Sequence, residues 1–294
     1  MGFNHGSRPA KLESMRKLLT LFLWLPWAAA STAQTSPALT PAQAQALVTR
    51  ALATESRAAQ HFGHSHPMRY RLRKSSPRIT TTKEIIETRA GDVARLVAIN
   101  DQPLSPADEQ MEEARLNALL GDPSLQRHRK QSEENDTDRA LKVLRVLPTA
   151  FLYQFAGTGT ASTGTVVKFT FRPNPQFDPP DLETGVLTAM AGEIWVDSVQ
   201  ARVVRLAGRL QQDKEIALGI VQLDKGGWVE INQADVGAGE WRIVHLKLVM
   251  NGRVLWKPKN SDSVQDYTQF ATVSAGLDYR QAIRMLRGGA AASR

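Results

Sequence analysis

The sequence predicts an α+β protein in which helices accompany a meandering antiparallel sheet. Strongly helical segments occupy residues 39–62 and 105–148 in the first half of the chain. Short strand-like runs separated by turn sequences then follow one another from residue 150 to about 270, and no helical pattern interrupts them. Successive strands with short connections pair antiparallel, so this many of them predict a sheet that is curved or nearly closed.

Composition is that of an ordinary globular domain and excludes several kinds of site. The 294 residues are 42% hydrophobic and 22% charged, which suits a folded protein with a sizeable core. The absence of cysteine excludes disulfides, thiolate metal centres, cysteine nucleophiles and a lipid-modified N-terminal cysteine. The net charge of +8 is spread along the chain, so nucleic acid is not an expected partner, whereas peripheral contact with an anionic membrane surface is compatible.

The N-terminal segment has the pattern of an export signal. Two basic residues at 16–17 precede an apolar run over 18–30, which is shorter than the roughly 20 residues that span a bilayer. Small residues then predict cleavage before Gln34. The predicted organisation is a signal peptide with an extended N-terminus over 1–33, followed by a single domain over 34–294 that is periplasmic or otherwise exported.

The helices have recognisable beginnings. Thr40 can cap the helix over 39–62, and Pro41 suits its first position. One face of this helix is apolar and consists of Ala44, Leu47, Val48, Ala51 and Leu52. Ser105 caps the insert at 105–148, which is predicted to continue as helix until Pro148 closes it.

Strands are predicted on both sides of the helical insert. Three alternating runs lie between residues 68 and 104. The later runs are 150–156, 165–171, 184–197, 202–212, 215–223, 227–236, 240–250, 253–257 and 264–271. The sequence "MNGR" at 250–253 predicts a two-residue hairpin, and an amphipathic segment over 279–287 predicts a short C-terminal helix.

Asp197 stands where the strand "GEIWVD" gives way to the strand "ARVVRLAGRL". The intervening residues must turn the chain, and an aspartate can organise such a turn by accepting backbone N–H groups two residues on. A catalytic role would require a histidine or second carboxylate within sequence reach, and none is present there. We therefore interpret Asp197 as a hairpin residue.

Other motifs that could belong to a metal-binding or phosphate-binding site do not complete one. His61, His64 and His66 form a short histidine-rich tract, but their spacing fits no standard zinc site and indicates loop histidines. The glycine-rich stretch 157–164 lacks the "GK[ST]" ending of a phosphate-binding loop and precedes a strand, so it predicts a hairpin loop. No catalytic residue, metal site or cofactor is predicted, and the chain is not expected to be an enzyme.

The order of elements resembles the outer-membrane lipoprotein carrier superfamily (LolA/LolB-like). In that superfamily a strand ending in W-[IV]-D turns into a strand carrying R-x-x-R-[LV]. The matching positions in this chain are Trp195, Val196, Asp197, Arg202, Arg205 and Leu206. The segment 171–197 also resembles uncharacterised exported bacterial proteins described as lipoprotein-sorting-like, and that resemblance covers most of 150–270.

The resemblance implies a half-open β-barrel whose curved sheet wraps an apolar cavity, with helices packed on or lidding its concave face. The strand pattern agrees that several strands keep large apolar side chains on one face. The predicted apolar lining is Phe169, Phe171, Val204, Leu206, Leu210, Val244, Leu246, Leu248 and Met250. An antiparallel sheet commonly buries one apolar face, so a core filled by side chains fits the same pattern.

Two functions therefore fit the sequence. The first is an exported binding protein that shields a lipid or acyl chain, as in lipid or lipoprotein trafficking in the bacterial envelope. The second is a non-catalytic structural, sensor or interaction protein of the envelope with a filled core and a protein partner. A space of roughly 300 Å³ or more with apolar walls would favour the first function.

Export gives the first testable prediction. Mass spectrometry of the chain recovered from the cell envelope should find an N-terminus near Gln34, because small residues precede that position in the signal-like segment. A recovered chain that still contains the apolar run over 18–30 would contradict the prediction.

Overall fold

The fold is described by a computed structural model over residues 39–60, 66–161, 164–216, 220–237, 239–255 and 257–291. The predicted signal peptide over 1–33 and the histidines His61 and His64 lie outside these residues.

The described residues form four α-helices and a short 3-10 helix. They are α1 (Pro41–Gln60), α2 (Pro106–Gly121), α3 (Pro123–Ala150), the 3-10 helix (Thr184–Ala189) and α4 (Tyr279–Ala291). The amide of Gln43 donates to the Thr40 hydroxyl, and the Thr40 amide donates back to the Gln43 side chain. This reciprocal pair is a capping box and confirms the predicted role of Thr40. Ser105 likewise accepts from the Asp108 amide at the start of α2.

The described residues form fifteen strands, and every strand pairing among them is antiparallel. The strands before and just after the helical insert are β1 (Met68–Ser75), β2 (Thr80–Ile86), β3 (Val93–Ile99), β4 (Gln102–Pro103), β5 (Phe151–Ala161), β6 (Gly164–Pro173), β7 (Met190–Asp197) and β8 (Arg202–Leu210). The remaining strands are β9 (Lys214–Ile216), β10 (Val221–Leu223), β11 (Trp228–Asp235), β12 (Trp241–Met250), β13 (Gly252–Val254), β14 (Lys257–Pro258) and β15 (Ser261–Thr272).

Eleven strands make one continuous sheet in the order β4-β3-β2-β1-β15-β12-β11-β8-β7-β6-β5. Within the described ranges the two edge strands, β4 and β5, do not pair with each other, so the sheet is not closed into a barrel. Strands β9, β10, β13 and β14 form a second, four-stranded sheet in the order β14-β13-β10-β9. The predicted α+β class with a large antiparallel sheet is confirmed.

The main hydrophobic core lies between α1, α3 and the strands β5 to β8. Its largest members are the aromatic and aliphatic side chains at the centre of the sheet, together with the predicted apolar stripe of α1. They include Val48, Leu52, Leu147, Phe151, Tyr153, Phe169, Phe171, Ile194 and Leu210. A separate core joins α2 and α4 to β2 and β3. Burying such side chains provides most of the driving force for docking the helices.

Several local predictions are wrong. The runs 215–223 and 253–257, each predicted as one strand, form the antiparallel pairs β9/β10 and β13/β14. Residues 184–189, expected to begin a strand, form the 3-10 helix, and the strand begins at Met190. Pro148 does not close the insert helix, because it lies inside the last turn of α3, where its carbonyl accepts from the Gln45 side chain. Proline removes only one backbone donor there, and the chain becomes extended at Phe151.

The hairpin predicted at "MNGR" also does not form. Strand β12 pairs with β11 and β15, whereas β13 pairs with β10 and β14. Gly252 explains the difference, because a side chain there would place a Cβ 2.2 Å from the carbonyl oxygen of Gln222 in β10. This glycine allows close approach to a strand of the second sheet instead of a tight turn.

Asp197 has the predicted hairpin role. Its buried carboxylate accepts the amides of Val199 and Gln200, both at 2.9 Å, and so closes the turn between β7 and β8. The same turn places Ala201 in the left-handed region, at φ 51°. The turn fixes the register that brings Arg202 opposite Asp197 at the start of β8.

Arg202 anchors the sheet to α1 through a buried ion pair. Its guanidinium donates to both carboxylate oxygens of Glu55, at 2.9 and 3.0 Å, and the Val203 amide donates to Glu55 at 2.8 Å. Both side chains are almost fully covered, so the three bonds satisfy groups that would otherwise be costly to bury.

This ion pair gives a prediction about stability. Replacing Glu55 by leucine alone leaves Arg202 buried without its partner, and should lower the free energy of unfolding by about 3–5 kcal/mol. The double variant Glu55→Leu/Arg202→Met removes both charges and should be less destabilised than Glu55→Leu alone, because no unpaired charge remains. Urea denaturation of the two single variants and the double variant measures this coupling; purely additive losses would contradict it.

Candidate functional site

A cavity of about 620 Å³ lies between the helices α1 and α3 and the strands β8, β11 and β12. Its volume is within the range of roughly 300–1,000 Å³ that is typical of small-molecule sites. It continues from the packed core, since Leu52, Leu147 and Val203 belong to both.

The cavity walls are predominantly apolar. The helices and strands contribute Leu52, Ala58, Ala59, Ala140, Val143, Leu144, Leu147, Val203, Leu206, Ile231, Trp241 and Ile243. The α3 residues recur at i, i+3, i+4 and i+7, so they form one stripe that faces the sheet. Such a lining offers dispersion contacts and no chemical handle, which suits a hydrocarbon group.

Charged residues of the lining pair with one another at one side of the cavity. Glu55 pairs with Arg202, whose guanidinium lies over the Trp241 ring at 5.1 Å. The Trp241 indole N–H donates to the Gln200 side chain at 2.9 Å. The turn organised by Asp197 therefore helps to hold the charged wall in place.

A second group of charges lies around Glu240. Its carboxylate contacts the His66 imidazole at 2.5 Å and accepts from Arg242 at 2.8 Å. Arg242 also donates to the His66 carbonyl at 3.1 Å and lies 3.8 Å from the Glu87 carboxylate. Each charged residue of the described lining therefore already has a partner of opposite charge.

The predicted lining residues occupy three kinds of position. Leu206 lines the cavity, whereas Phe169, Phe171 and Leu210 are packed in the adjoining core. Leu246, Leu248 and Met250 are half-buried on β12, outside the cavity lining. The ligand-binding role of the set stays a prediction.

Two further predicted residues lie at irregularities of the sheet. In β8, Val204 has no partner in β7, because Trp195 pairs with Arg205 and the next residue, Val196, pairs with Val203. Val204 packs with Val166 and Trp241 in a small separate cluster. In β12, Val244 has no partner in β11, because Asn232 pairs with His245 and Gln233 pairs with Ile243. A β-bulge shifts the alternation of side chains between the two faces, and single-sequence alternation does not show where bulges occur.

The predicted lining does not include the helical side of the cavity. The stripe Ala140, Val143, Leu144 and Leu147 has a helical period that is visible in the sequence. Its location over the sheet depends on where α3 docks, and this depends on contacts that are distant in sequence. Trp241 and Ile243 were likewise placed in a predicted strand without a role.

The N-terminal half of α3 is docked through Gln126 and Glu133, which contact the segment before β3. The Gln126 side chain donates to the carbonyls of Ala90 and Gly91, at 3.1 and 2.9 Å. The Asp92 amide donates to the Glu133 carboxylate at 3.0 Å, which brings the two acids together. The Tyr70 hydroxyl lies 3.5 Å from the Asp92 carboxylate.

The surroundings of Asp92 raise the pKa values of several groups. Burial, with the nearby charges of Glu133 and Glu87, raises the pKa of Asp92 from 3.8 to about 8. Burial also raises the pKa of Glu87, although Arg242 and the Met68 amide oppose the rise. Burial and the charge of Asp92 raise the pKa of Tyr70 well above its usual value. The carboxyl of Asp92 is therefore mainly protonated at neutral pH, which relieves its repulsion with Glu133.

Two features are absent from the described ranges. No group of three or more histidine, aspartate or glutamate side chains in these ranges could hold a metal ion. No helix within the same residues combines the length and apolarity required to cross a membrane.

Comparisons with known proteins do not identify a family for this chain. No protein-family model matches the chain, and a search of curated proteins finds no match. Among solved structures, the chain is similar to a domain from Vibrio parahaemolyticus described as an outer membrane lipoprotein-sorting protein domain. The match covers 84% of this chain and 100% of that chain, with 9% sequence identity and a TM-score of 0.30. A similarity this low carries no argument about function, which must come from the chain's own geometry.

The half-buried Asp92 gives a prediction about pH. Its native pKa of about 8 exceeds the ordinary value of 3.8, so the native state binds a proton that the unfolded chain releases between these values. The free energy of unfolding should fall as pH rises from about 4 through about 8, by at most about 1.4 kcal/mol per pH unit. Asp92→Asn should weaken this dependence and raise the melting temperature at pH 8.

Thermal melts across this pH range provide the measurement. The exposed Asp138 on α3 supplies the matched control, since Asp138→Asn removes an exposed carboxylate and leaves the half-buried one in place. Equal pH dependence in the wild type and in Asp92→Asn would contradict the assignment.

Proposed function

We propose that this protein is an exported, non-catalytic carrier that holds the hydrocarbon chain of a lipid or lipoprotein in the cavity between α1, α3 and the sheet. The observation that carries the proposal is an apolar space of about 620 Å³ whose charged lining residues are already paired. A hydrocarbon chain would complete the packing of these walls without requiring a new polar partner.

Energetics favour a chain over a compact polar ligand. Each methylene transferred from water into the cavity contributes about 0.8 kcal/mol. A charged ligand group entering the same space would lose its hydration and would have to displace one partner of an existing ion pair. The headgroup of the bound lipid is therefore expected to remain outside the apolar part of the cavity.

The alternative is a non-catalytic envelope protein with a filled core and a protein partner. The observation in its favour is that Phe169, Phe171 and Leu210 are fully packed in the core. In that case the neighbouring cavity would be a packing defect with no ligand. The two proposals differ in whether the cavity takes up a chain.

Binding of a saturated acyl series tests the proposal. Affinity for the folded, exported chain should rise by about fourfold for each added methylene until the cavity is full, as measured by displacement of a fluorescent acyl probe. Ala59→Trp should weaken binding by filling space, because Ala59 lines the cavity.

Matched variants separate a cavity effect from a general one. Ala53 lies on the exposed side of the same helix, so Ala53→Trp should bind like the wild type. Leu248→Glu examines the predicted lining beyond the cavity, and loss of affinity for the longest chains would extend the site along β12 beyond Ile243. Absence of binding at every chain length, in a protein that melts cooperatively, would contradict the carrier function and favour the alternative.

A further inference from the structure

The second sheet is built from two long connections of the main sheet. The connection from β8 to β11 contains β9 and β10, and the connection from β12 to β15 contains β13 and β14. Strands β10 and β13 pair antiparallel, so the two connections join into one four-stranded unit. The unit meets β11 and β12 at Trp228 and Met250, whereas the cavity is lined by Ile231, Gln233 and 239–243, from the middle of β11 toward the other end of the two strands.

Apolar side chains are exposed at the end of this unit that is remote from the main sheet. Ile220, Val254 and Leu255 expose 47%, 38% and 53% of their surface. They are neighbours, because the Leu255 amide donates to the Ile220 carbonyl at 2.6 Å and Val254 directly precedes Leu255. The three side chains form the tip patch.

The backbone at the tip holds its leucine in an unusual conformation. Leu255 has φ 55°, in the left-handed region that residues other than glycine and asparagine rarely adopt. A non-glycine residue in this region carries local strain that the surrounding structure must sustain. Here the strained residue is also an exposed leucine, which contributes little to the stability of the core.

Cations border the tip patch. Arg253, Lys257 and Lys259 are exposed, whereas the acid Glu215 lies one strand away from Arg253, on the far side of Gln222. Lys257 pairs with Val254 at the tip, whereas the Lys259 amide donates to the Gly252 carbonyl at 2.9 Å, at the end of β13 nearer the main sheet. Apolar side chains flanked by lysine and arginine are the combination that binds an anionic lipid surface, because the former enter the interface and the latter contact the headgroups.

We propose that the tip patch, with its bordering cations, docks the protein on the surface of an anionic phospholipid bilayer. The contact is peripheral: three apolar side chains enter the interfacial region while the body of the protein stays in the aqueous phase. This surface is separate from the cavity, so docking does not depend on the proposed carrier function. If both hold, a carrier would meet a membrane through a defined edge of its fold.

A second copy of the chain is a less suitable occupant of the tip. A specific protein interface usually buries about 1,200–2,000 Å² in total, and three partly exposed side chains supply only a small part of such an area. The like charge of Arg253 and Lys257 would also oppose the symmetric approach of two tips.

Vesicle binding of the exported chain tests the proposal. The protein should sediment with vesicles that contain phosphatidylglycerol, and much less of it should sediment with vesicles of phosphatidylcholine alone. Added salt should weaken the binding. Lys257→Glu/Lys259→Glu should lower affinity by about fivefold or more for each lysine replaced. Lys142→Glu/Arg145→Glu on the exposed side of α3 is the matched control and should leave the affinity within about twofold of the wild type.

A separate variant tests the contribution of the apolar side chains of the tip patch to vesicle binding. Leu255→Asn removes the exposed leucine while keeping a residue that tolerates positive φ, so the fold should persist and affinity should fall by about tenfold. Leu182, which is 61% exposed elsewhere on the surface, provides the control Leu182→Asn. The cavity variant Ala59→Trp should bind vesicles normally, which keeps this test independent of acyl-chain binding.

Three results would overturn the proposal. The first is equal binding to both kinds of vesicle. The second is an unchanged affinity in both Leu255→Asn and the double lysine variant. The third is a concentration-dependent dimer in analytical ultracentrifugation that Leu255→Asn dissociates, which would identify a second copy as the occupant.

Discussion

The buried carboxylate of Glu55 is the constraint on which the arrangement of helix and sheet depends. It accepts two bonds from Arg202 and one from the Val203 amide. These bonds fix one turn of α1 against the start of β8. The neighbouring apolar residues of α1 then face the sheet in a single register, with Leu52 in the core and Ala59 at the cavity. The ion pair thus positions both the packed region and the space beside it.

The cavity follows from uneven coverage of one large sheet. Over β5 to β8, aromatic side chains such as Phe151, Phe169 and Phe171 fill the region beneath α1 and α3. Toward β11 and β12 a space lined by Ile231 and Ile243 remains open between the helices and the sheet. The turn at Asp197 supports this boundary, because its neighbours Gln200 and Arg202 contact Trp241 at the cavity wall.

Much of the fold could be predicted from the sequence because its signals are local. The caps at Thr40 and Ser105, the hairpin aspartate Asp197 and the period of the strands all act within a few residues. The errors arose where distant contacts decide the structure. Gly252 is needed because β13 passes close to Gln222 in another connection, and no local pattern distinguishes this use of glycine from a tight turn.

The candidate site was less predictable for the same reason. Leu206 was placed by strand alternation, but the bulges at Val204 and Val244 interrupt that alternation. The stripe on α3 has a clear helical period, yet the sequence does not show which strands it faces. A cavity is the space left by the docking of separate elements, so its lining can be recognised only when their relative positions are known.

Nuclear magnetic resonance of the protein with a uniformly ¹³C-labelled acyl chain tests the central claim most directly. Intermolecular nuclear Overhauser effects would show which side-chain methyl groups touch the chain. We predict contacts from the acyl methylenes to Leu52, Val143, Leu144, Leu206 and Ile231, which line the cavity on both its helical and its sheet side. An acyl chain that contacts only Leu246 and Leu248 on β12, or that gives no intermolecular contacts while these methyl groups are observed, would contradict binding in the cavity.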